Sequence, residues 1–198
     1  MASDEIKKTE EKETIASEAE KMNKKIQKAE KKVRNYQFFI LRLAAFILVL
    51  WLLFFVFIGV MHMPTTDMYP RIDAGDFILF YRLDKDVKAQ DIIVIEKDIP
   101  DVGKKVYVCR VVAVSGDTVE ITTDNRLKVN GNTMIEMNIF YPTPRYEGSV
   151  EYPLTLGEGE CFVLVDSRNG GTDSRYFGPV QKDEIVGTVI TLIRRNNL

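Results

Sequence analysis

The segment that decides the fold is Thr65-Thr66-Asp67-Met68-Tyr69-Pro70-Arg71-Ile72-Asp73-Ala74-Gly75-Asp76. It follows the longest apolar run of the chain and leads into the first strand-like segment, residues 77–82. Pro70, Gly75 and Asp76 favour turns, so they predict a tight polar loop ahead of that strand. Because the apolar run is long enough to cross a membrane, we expect the loop to lie at the membrane surface. The side chain of Asp67 then determines which chemistry is possible there.

The apolar run comprises residues 43–61, which are 19 residues without a charged side chain. As a helix it would be roughly 28 Å long, close to the hydrocarbon thickness of a bilayer. A cleaved signal peptide is the competing interpretation, but the run is longer than the apolar region of such peptides and no small-x-small cleavage site follows it. We therefore predict a transmembrane anchor at residues 36–61. Its basic N-terminal flank places residues 1–35 in the cytoplasm and residues 62–198 outside, with a single pass through the cell membrane.

Residues 1–35 are predicted to form a charged cytoplasmic helical arm, with ten Lys or Arg and eight Asp or Glu. An apolar stripe at heptad spacing runs along it, formed by Ile15, Ala19, Met22, Ile26, Ala29 and Val33. Two interpretations are open: a solvated amphipathic helix, or a short coiled coil through residues 15–33 that binds a second copy or a partner. Residues 21–34 are strongly basic, and beside a membrane anchor this is better explained by anionic lipid headgroups than by nucleic acid.

Beyond residue 62 the pattern changes to short strands and turns, with 16 Lys or Arg and 21 Asp or Glu over residues 62–198. β-Branched and aromatic residues mark six predicted strands, at residues 77–82, 91–97, 105–115, 118–122, 161–166 and 185–193. Asn130-Gly131 lies between strand-like flanks and predicts a hairpin. No helical period of about ten residues occurs here, and residues 138–157 are predicted to form a long loop or inserted ribbon. The fold class is therefore mainly β, an antiparallel extracytoplasmic domain behind one transmembrane helix.

Cysteine and histidine usage argues against several kinds of site. Cys109 and Cys161 belong to no CxxC pair, so neither a disulfide framework nor a zinc site is indicated, and no cofactor is expected. Whether the two cysteines approach each other is left open. The single histidine, His62, argues against a Ser-His-Asp or Cys-His arrangement. Both faces of residues 105–115 are mainly apolar, which predicts an inner strand with Cys109 on a desolvated face.

Four blocks of this domain, in order, resemble the bacterial type I signal peptidases, and the resemblance covers residues 36–194. The first is Asp67-Met68-Tyr69-Pro70 with Gly75-Asp76, which is similar to Ser-Met-x-Pro-Thr followed by Gly-Asp. The second, residues 87–95, is similar to a strand entered through Gly-Asp, with Gln90 in place of the glycine. The third is Tyr107-Val108-Cys109-Arg110-Val111 with Gly116-Asp117-Thr118-Val119, trailed by Val129-Asn130-Gly131. The fourth is Asp166-Ser167-Arg168 with Asp173-Ser174-Arg175-Tyr176-Phe177-Gly178.

The resemblance implies a Ser-Lys dyad as the family's mechanism. A serine attacks the carbonyl after the small-x-small end of a signal peptide, and a buried neutral lysine takes the serine's proton. The nucleophile position corresponds to Asp67, the base position to Cys109, and the position of the serine that orients the lysine to Gly171. The threonine after the loop's proline is Arg71 here. The predicted framework residues around these positions are kept: Gly75, Asp76, Arg110, Asp173, Ser174 and Arg175.

These differences disable the dyad's chemistry. A carboxylate at Asp67 has no proton for a base to remove, and its charge opposes the oxyanion that acyl transfer develops. Cys109 would need a neighbouring base or cation to form its thiolate, and the matched blocks supply none. Pairing of Asp67 with Asp173 as in aspartic proteases, or use of Lys104 or Lys105 as a substitute base, are weaker rescue chemistries. We therefore predict no active catalytic residue, while enzymatic activity stays an open alternative.

The resemblance also implies a groove that receives an extended peptide as an added strand, with Met68, Tyr69, Pro70 and Cys109 mapping to its walls. The leading hypothesis is a membrane-anchored, non-catalytic signal peptidase homologue that binds an exported or pilin-like protein segment. The resemblance to relatives with a degenerate dyad further implies a chaperone-like role in surface protein or pilus assembly in Gram-positive bacteria. The alternatives are an active type I signal peptidase of unusual chemistry and a structural membrane scaffold whose cleft is filled.

One expectation concerns charge in the old cleft. If the cleft is partly desolvated, the Asp67 carboxylate should pair with a donor, and Arg110 and Arg71 are the candidates. A solvent-facing Asp67 in an open loop is the alternative.

Overall fold

The computed structural model describes residues 2–100, 102–137, 139–146 and 150–194, with residues 2–20 described by their helical backbone alone. Its first element, α1, is a continuous helix over Ala2–Phe57. Within it, Lys21–Phe57 contains an 18-residue window of mean hydropathy 2.8 with no buried side chain, so this helix is long and apolar enough to cross a membrane. No other helix among the described residues passes that test.

The cytoplasmic arm predicted at residues 1–35 is helical from residue 2 onward. Of the heptad stripe, Ile15 and Ala19 lie outside the described side chains, while Met22, Ile26 and Val33 are exposed. Exposed apolar side chains fit both a solvated helix and an unoccupied coiled-coil seam. The coiled coil through residues 15–33 therefore stays a prediction.

The apolar run does not stay helical to its end. The helix stops at Phe57, and β1 (Ile58–His62) follows directly, so the helical part of the predicted anchor ends four residues before Met61. β1 pairs antiparallel with β2 (Phe77–Tyr81), with Gly59 opposite Phe80. A Cβ atom at Gly59 would lie 2.1 Å from the Phe80 ring, so only glycine lets this ring pack across the strand.

The remaining strands form two antiparallel sheets. They are β3 (Ile92–Ile99), β4 (Gly103–Ala113), β5 (Thr118–Ile121), β6 (Leu127–Val129), β7 (Asn132–Thr133), β8 (Leu154–Thr155), β9 (Glu160–Leu164), β10 (Val180–Gln181) and β11 (Ile185–Ile193). The larger sheet has the order β1-β2-β11-β3-β4-β9-β10, and the smaller has the order β7-β6-β5-β8. The mainly β, antiparallel fold class is confirmed, and each of the six predicted strands is present, with its ends shifted by two residues at most.

β9 and the second half of β4 connect two apolar cores because their side chains alternate between faces. Cys161 and Val163 of β9 lie in the core of the larger sheet with Cys109. Phe162 and Leu164 of β9 lie in the core against the smaller sheet. β4 lies between β3 and β9, which confirms the predicted inner strand, with Cys109 fully buried.

Turns and short helices complete the domain. Asn130 and Gly131 both have positive φ, 52° and 78°, which is the geometry of the tight hairpin turn that their sequence predicts. Within the predicted long loop, β8 adds a short pairing to β5. Two short helices that lack any helical period in the sequence are also present: α2 (Ser174–Phe177) and a 3-10 turn at Lys182–Glu184.

Candidate functional site

A cleft of about 310 Å³ opens beside the loop that the sequence singles out. It is lined by Met61, Met63, Pro64, Thr65, Asp67, Val102, Lys105, Val106, Tyr107, Val108, Val165 and Thr172. Most of these side chains are apolar, and Asp67 and Lys105 bring the charged groups. The residues come from β1 and the loop after it, the first half of β4, and the segment after β9. The first, third and fourth blocks of sequence similarity therefore contribute to one site, through Asp67, Tyr107 with Val108, and Thr172.

The Asp67 loop is held in a fixed shape by its own backbone. The N–H of Met63 donates to the carbonyl of Asp76 at 2.8 Å, and the N–H of Gly75 donates to the carbonyl of Met63 at 2.9 Å. Gly75 has a φ of 95°, a conformation that favours glycine. Met68 is fully buried beneath the loop, and this fixes the neighbouring Asp67 at the cleft. The predicted framework pair Gly75-Asp76 thus closes the loop.

The Asp67 carboxylate is half-buried, and a hydroxyl is its hydrogen-bond partner. Thr65 Oγ1 donates to Asp67 Oδ2 at 2.8 Å. On the main chain, the N–H of Ser167 donates to the Asp67 carbonyl at 2.8 Å, which ties the loop to the segment after β9. The expected pairing with Arg110 or Arg71 is wrong. Arg110 is engaged elsewhere, and Arg71 is exposed and forms no ion pair among the described residues.

Gly171, which the resemblance aligns with the lysine-orienting position, lies beside Asp67. A Cβ atom built on Gly171 would be 3.2 Å from Asp67 Cγ and 2.9 Å from Val165 Cγ2. Gly171 also has a φ of 76°, which side-chain-bearing residues rarely adopt. The structure therefore brings these two predicted site positions together, and it leaves no room for a side chain at Gly171.

Cys109 is completely buried in the core of the larger sheet. Burial, first, and then the negative charges of Asp173, Asp67 and Asp166 raise the pKa of its thiol well above the usual value of 9.0. The thiol is therefore protonated at neutral pH, and since the thiolate is the nucleophile, Cys109 is chemically inert. The charge of Asp67 reaches it, which places both residues in one electrostatic neighbourhood.

Arg110 and Asp166 form the central ion pair of the framework. Arg110 Nη2 lies 2.6 Å and Nε 2.8 Å from the two carboxylate oxygens of Asp166, a bidentate arrangement between two buried side chains. Arg110 Nη1 also donates to the carbonyl of Gln90 at 3.1 Å. Gln90 has a φ of 79°, a conformation that favours glycine, which is the residue at this position in the family pattern.

A second buried pair fixes the segment after β9. Asp173 and Arg175 are both fully buried, and Arg175 Nη2 lies 2.8 Å from Asp173 Oδ2. The same carboxylate caps α2 through the N–H of Arg175 and accepts the N–H of Val165. Ser174 Oγ accepts the N–H of Val163 at 3.0 Å. The predicted framework residues Asp173, Ser174 and Arg175 thus join α2 to β9.

The lining of the cleft differs from the predicted peptide groove. Met68 and Cys109 are fully buried in the core, so neither offers a surface to a peptide. Tyr69 is half exposed. Neither Tyr69 nor Pro70 belongs to the residues that line the cleft. The first half of β4 lines the cleft through Lys105 to Val108, which are not among the predicted groove residues. The signal in the sequence is the strand-like pattern of residues 105–115, which the resemblance places around Cys109.

β4 has an open edge at the cleft. Its residues 103–110 pair with β3 on one side, while pairing with β9 on the other side begins only at Arg110. Within the described residues, positions 103–109 therefore have no strand on that side. Unpaired strand edges can accept an extended peptide through main-chain hydrogen bonds. Among the same residues, no three His, Cys, Asp or Glu side chains converge to hold a metal ion.

Comparison with known proteins supports the similarity. Residues 35–193 match the family model for signal peptidase, peptidase S26. Thylakoidal processing peptidase 1 of Arabidopsis thaliana is 32% identical over 135 residues, covering 63% of this chain and 38% of that protein. Signal peptidase I of Bacillus caldolyticus is 32% identical over 136 residues, covering 62% of this chain and 72% of that protein.

Coverage of these relatives is partial. The match to signal peptidase I of Pseudomonas fluorescens, 27% identical over 177 residues, covers 64% of this chain and 61% of that protein. A crystal structure of signal peptidase I from Enterococcus faecalis aligns with a TM-score of 0.41 at 28% identity, covering 53% of this chain and 97% of that chain. The family model alone matches well over half of the chain. The chain therefore belongs to the signal peptidase family, peptidase S26.

Proposed function

We propose that this protein is a non-catalytic member of the signal peptidase family that binds an extended segment of an exported protein. It is held at the cell membrane by α1, with its N-terminus in the cytoplasm and its β domain outside. It assists the assembly of surface proteins or pili in a chaperone-like role. The observation that carries the proposal is the half-buried carboxylate of Asp67 at the cleft, beside a Cys109 that is buried and protonated.

The chemistry of these two groups argues against peptide hydrolysis. Asp67 offers a carboxylate where the family's mechanism uses a serine hydroxyl, and its negative charge opposes the oxyanion that acyl transfer develops. Cys109 lacks the ionised form and the exposure that a nucleophile or base requires. Lys105 lines the cleft but is exposed to solvent, so it lacks the burial of the lysine base that the family's mechanism uses. These observations favour binding over catalysis.

Binding needs less than catalysis, and the cleft retains what it needs. An extended segment can form main-chain hydrogen bonds with residues 103–109 of β4 while its side chains pack against the apolar lining. The framework ion pairs Arg110–Asp166 and Asp173–Arg175 keep the walls of the cleft in place. The fold therefore supports a peptide site without a dyad.

Reconstituted full-length protein tests the proposal against the enzymatic alternative. It is incubated with a secretory precursor and with a pilin precursor, and the new N-termini are identified by mass spectrometry. We expect no processing, and we expect a photocrosslinker placed at Thr172 to capture the precursor. Cleavage that is specific and is lost in Asp67→Ala or Cys109→Ala would overturn the non-catalytic assignment.

The chaperone-like role has a separate test in the source cell. Deletion of the gene is expected to reduce high-molecular-weight polymers of surface protein, and a copy carrying Asp67→Asn is compared with the wild-type copy. Normal polymers in the deletion strain, together with no crosslinking at the cleft, would favour a structural scaffold instead.

A further inference from the structure

We infer that Asp67 makes the cleft selective for client segments that carry a basic side chain. The inference deepens the proposed function and rests on it, because it assumes that a peptide occupies the cleft. It assigns to Asp67 a role in recognition, in place of the catalytic role that its position in the family would imply.

The first observation is the unbalanced charge of Asp67. Within the described residues no Lys, Arg or His nitrogen forms an ion pair with its carboxylate, which accepts a hydrogen bond from the neutral Thr65 hydroxyl. The other acidic groups that act on Cys109 are compensated: Asp166 is bound by Arg110, and Asp173 is bound by Arg175. Asp67 is thus the carboxylate of this neighbourhood whose charge is left for a ligand.

The second observation is where that charge lies. Asp67 is half-buried in a cleft whose other lining side chains are mostly apolar, such as Met63, Val106 and Val165. Partial burial strengthens an ion pair relative to the same pair on an open surface, because less water screens it. A bound segment would displace more water, so a carboxylate without a cation would oppose binding. A lysine or arginine of the client removes that penalty.

The cleft's own cation does not satisfy Asp67. Lys105 lines the same cleft, but its ammonium group is exposed and forms no ion pair with Asp67. An ordinary apolar peptide would leave both charges uncompensated. A client with a basic side chain near Asp67 is matched to the cleft, whereas an acidic side chain at that point would meet like charge.

The experiment uses the full-length protein in lipid nanodiscs and fluorescent octapeptides of alternating alanine and valine, capped at both ends. One central residue is lysine, norleucine or glutamate, and it is moved through the four central positions to sample the register. Norleucine keeps the four-carbon chain of lysine and lacks its ammonium group. Affinities are measured by fluorescence polarisation at low and high salt.

We expect the best lysine peptide to bind about five- to tenfold more tightly than its norleucine counterpart at low salt, with a smaller ratio at high salt. Asp67→Asn, which keeps the size of the side chain and its bond to Thr65, should abolish the ratio. The norleucine peptide should bind this variant more tightly than the unaltered protein, because no uncompensated carboxylate then opposes it. Lys105→Gln should keep the preference for lysine, because it leaves the Asp67 carboxylate in place.

Two results would count against these claims in different ways. If norleucine and lysine peptides bind equally at every position, and Asp67→Asn changes neither, the cleft binds peptides but the selectivity is refuted. If none of the peptides binds while the thermal unfolding of the protein is normal, the peptide groove of the proposed function is itself refuted.

Discussion

Gly171 and Asp67 stand so close that a Cβ atom on the glycine would lie 3.2 Å from Asp67 Cγ. The same atom would lie 2.9 Å from Val165 Cγ2, inside the usual contact distance. Gly171→Ala should therefore lower the free energy of unfolding by about 1–3 kcal/mol, through overpacking and through its positive φ. Chemical denaturation measures the change.

Gly170 supplies the matched control for that substitution. A Cβ atom there would meet nothing within 4 Å, and its φ is not in the left-handed region. Gly170→Ala should leave stability unchanged or raise it by about 0.5 kcal/mol. Equal destabilisation by the two variants would contradict this explanation. It would mean that any alanine in this segment lowers the free energy of unfolding, whether or not its Cβ contacts Val165 and Asp67.

The buried pair of Arg110 and Asp166 should be costly to break. Arg110→Met leaves Asp166 buried without its cation, which should lower the free energy of unfolding by about 3–5 kcal/mol. The double variant Arg110→Met with Asp166→Leu should recover most of that loss, because it leaves no charge unpaired. Denaturant titration of the unaltered protein, the two single variants and the double variant gives the coupling energy.

An exposed pair serves as the reference for this experiment. Lys104 and Glu96 form an ion pair between adjacent strands at the surface. Lys104→Met should cause no measurable loss, since water screens exposed pairs and they contribute little. A loss as large as that of Arg110→Met would contradict the assignment of Arg110 as the framework cation.

Alkaline pH should reveal the buried thiol of Cys161. Burial, with the charge of Glu184, raises its pKa from 9.0 to about 12. The unfolded chain releases this proton near pH 9, whereas the folded chain holds it. The stability it contributes is complete below pH 9 and is lost as pH rises from 9 through about 12, by about 1 kcal/mol per pH unit.

Cys161→Ala removes that titration and leaves the remaining ionisable groups in place. Its free energy of unfolding should therefore fall less steeply between pH 9 and pH 11 than that of the unaltered protein, whatever its absolute stability. Parallel curves for the two proteins would refute a perturbed thiol at Cys161.

Replacing Gln90 by glycine, the residue of the family pattern at this position, should increase the free energy of unfolding. A side-chain-bearing residue at φ 79° costs about 1–2 kcal/mol, and glycine's extra entropy in the unfolded chain offsets about 0.5–1 kcal/mol of the gain. Gln90→Gly should then stabilise the domain by about 0.5–1 kcal/mol. Gln90→Ala keeps the unfavourable φ and is the control, so an alanine variant as stable as the glycine variant would refute the explanation.

Much of this fold could be predicted from the sequence, because the patterns are local. The two apolar faces of residues 105–115 predict an inner strand, and β4 lies between β3 and β9. The Asn130-Gly131 hairpin follows from the positive φ that those residues tolerate. The sequence does not predict the end of α1 at Phe57, because the apolar run continues through β1 without a change in composition. Only the pairing of β1 with β2 distinguishes this strand from the helix.

The site was harder to predict because it depends on tertiary partners. Sequence similarity indicated that Asp67, Cys109 and Gly171 belong to one neighbourhood, and Gly171 does contact Asp67. It could not show that Arg110 is held by Asp166, 56 positions away, and is therefore lost to Asp67. Likewise, composition alone does not show that Met68 points into the core and not into the cleft.

The open edge of β4 sets a length and a spacing for any client. Residues 103–109 form a strand of roughly 20 Å, enough to pair with about seven residues of a partner. A client of the proposed kind would therefore need only a short unfolded tail, and the rest of it could be folded before it arrives. Alternate side chains of a strand face opposite ways, so about half of the side chains of that tail would point away from the cleft and would not be selected by it. Client tails could then differ widely in sequence while sharing a pattern at every second position.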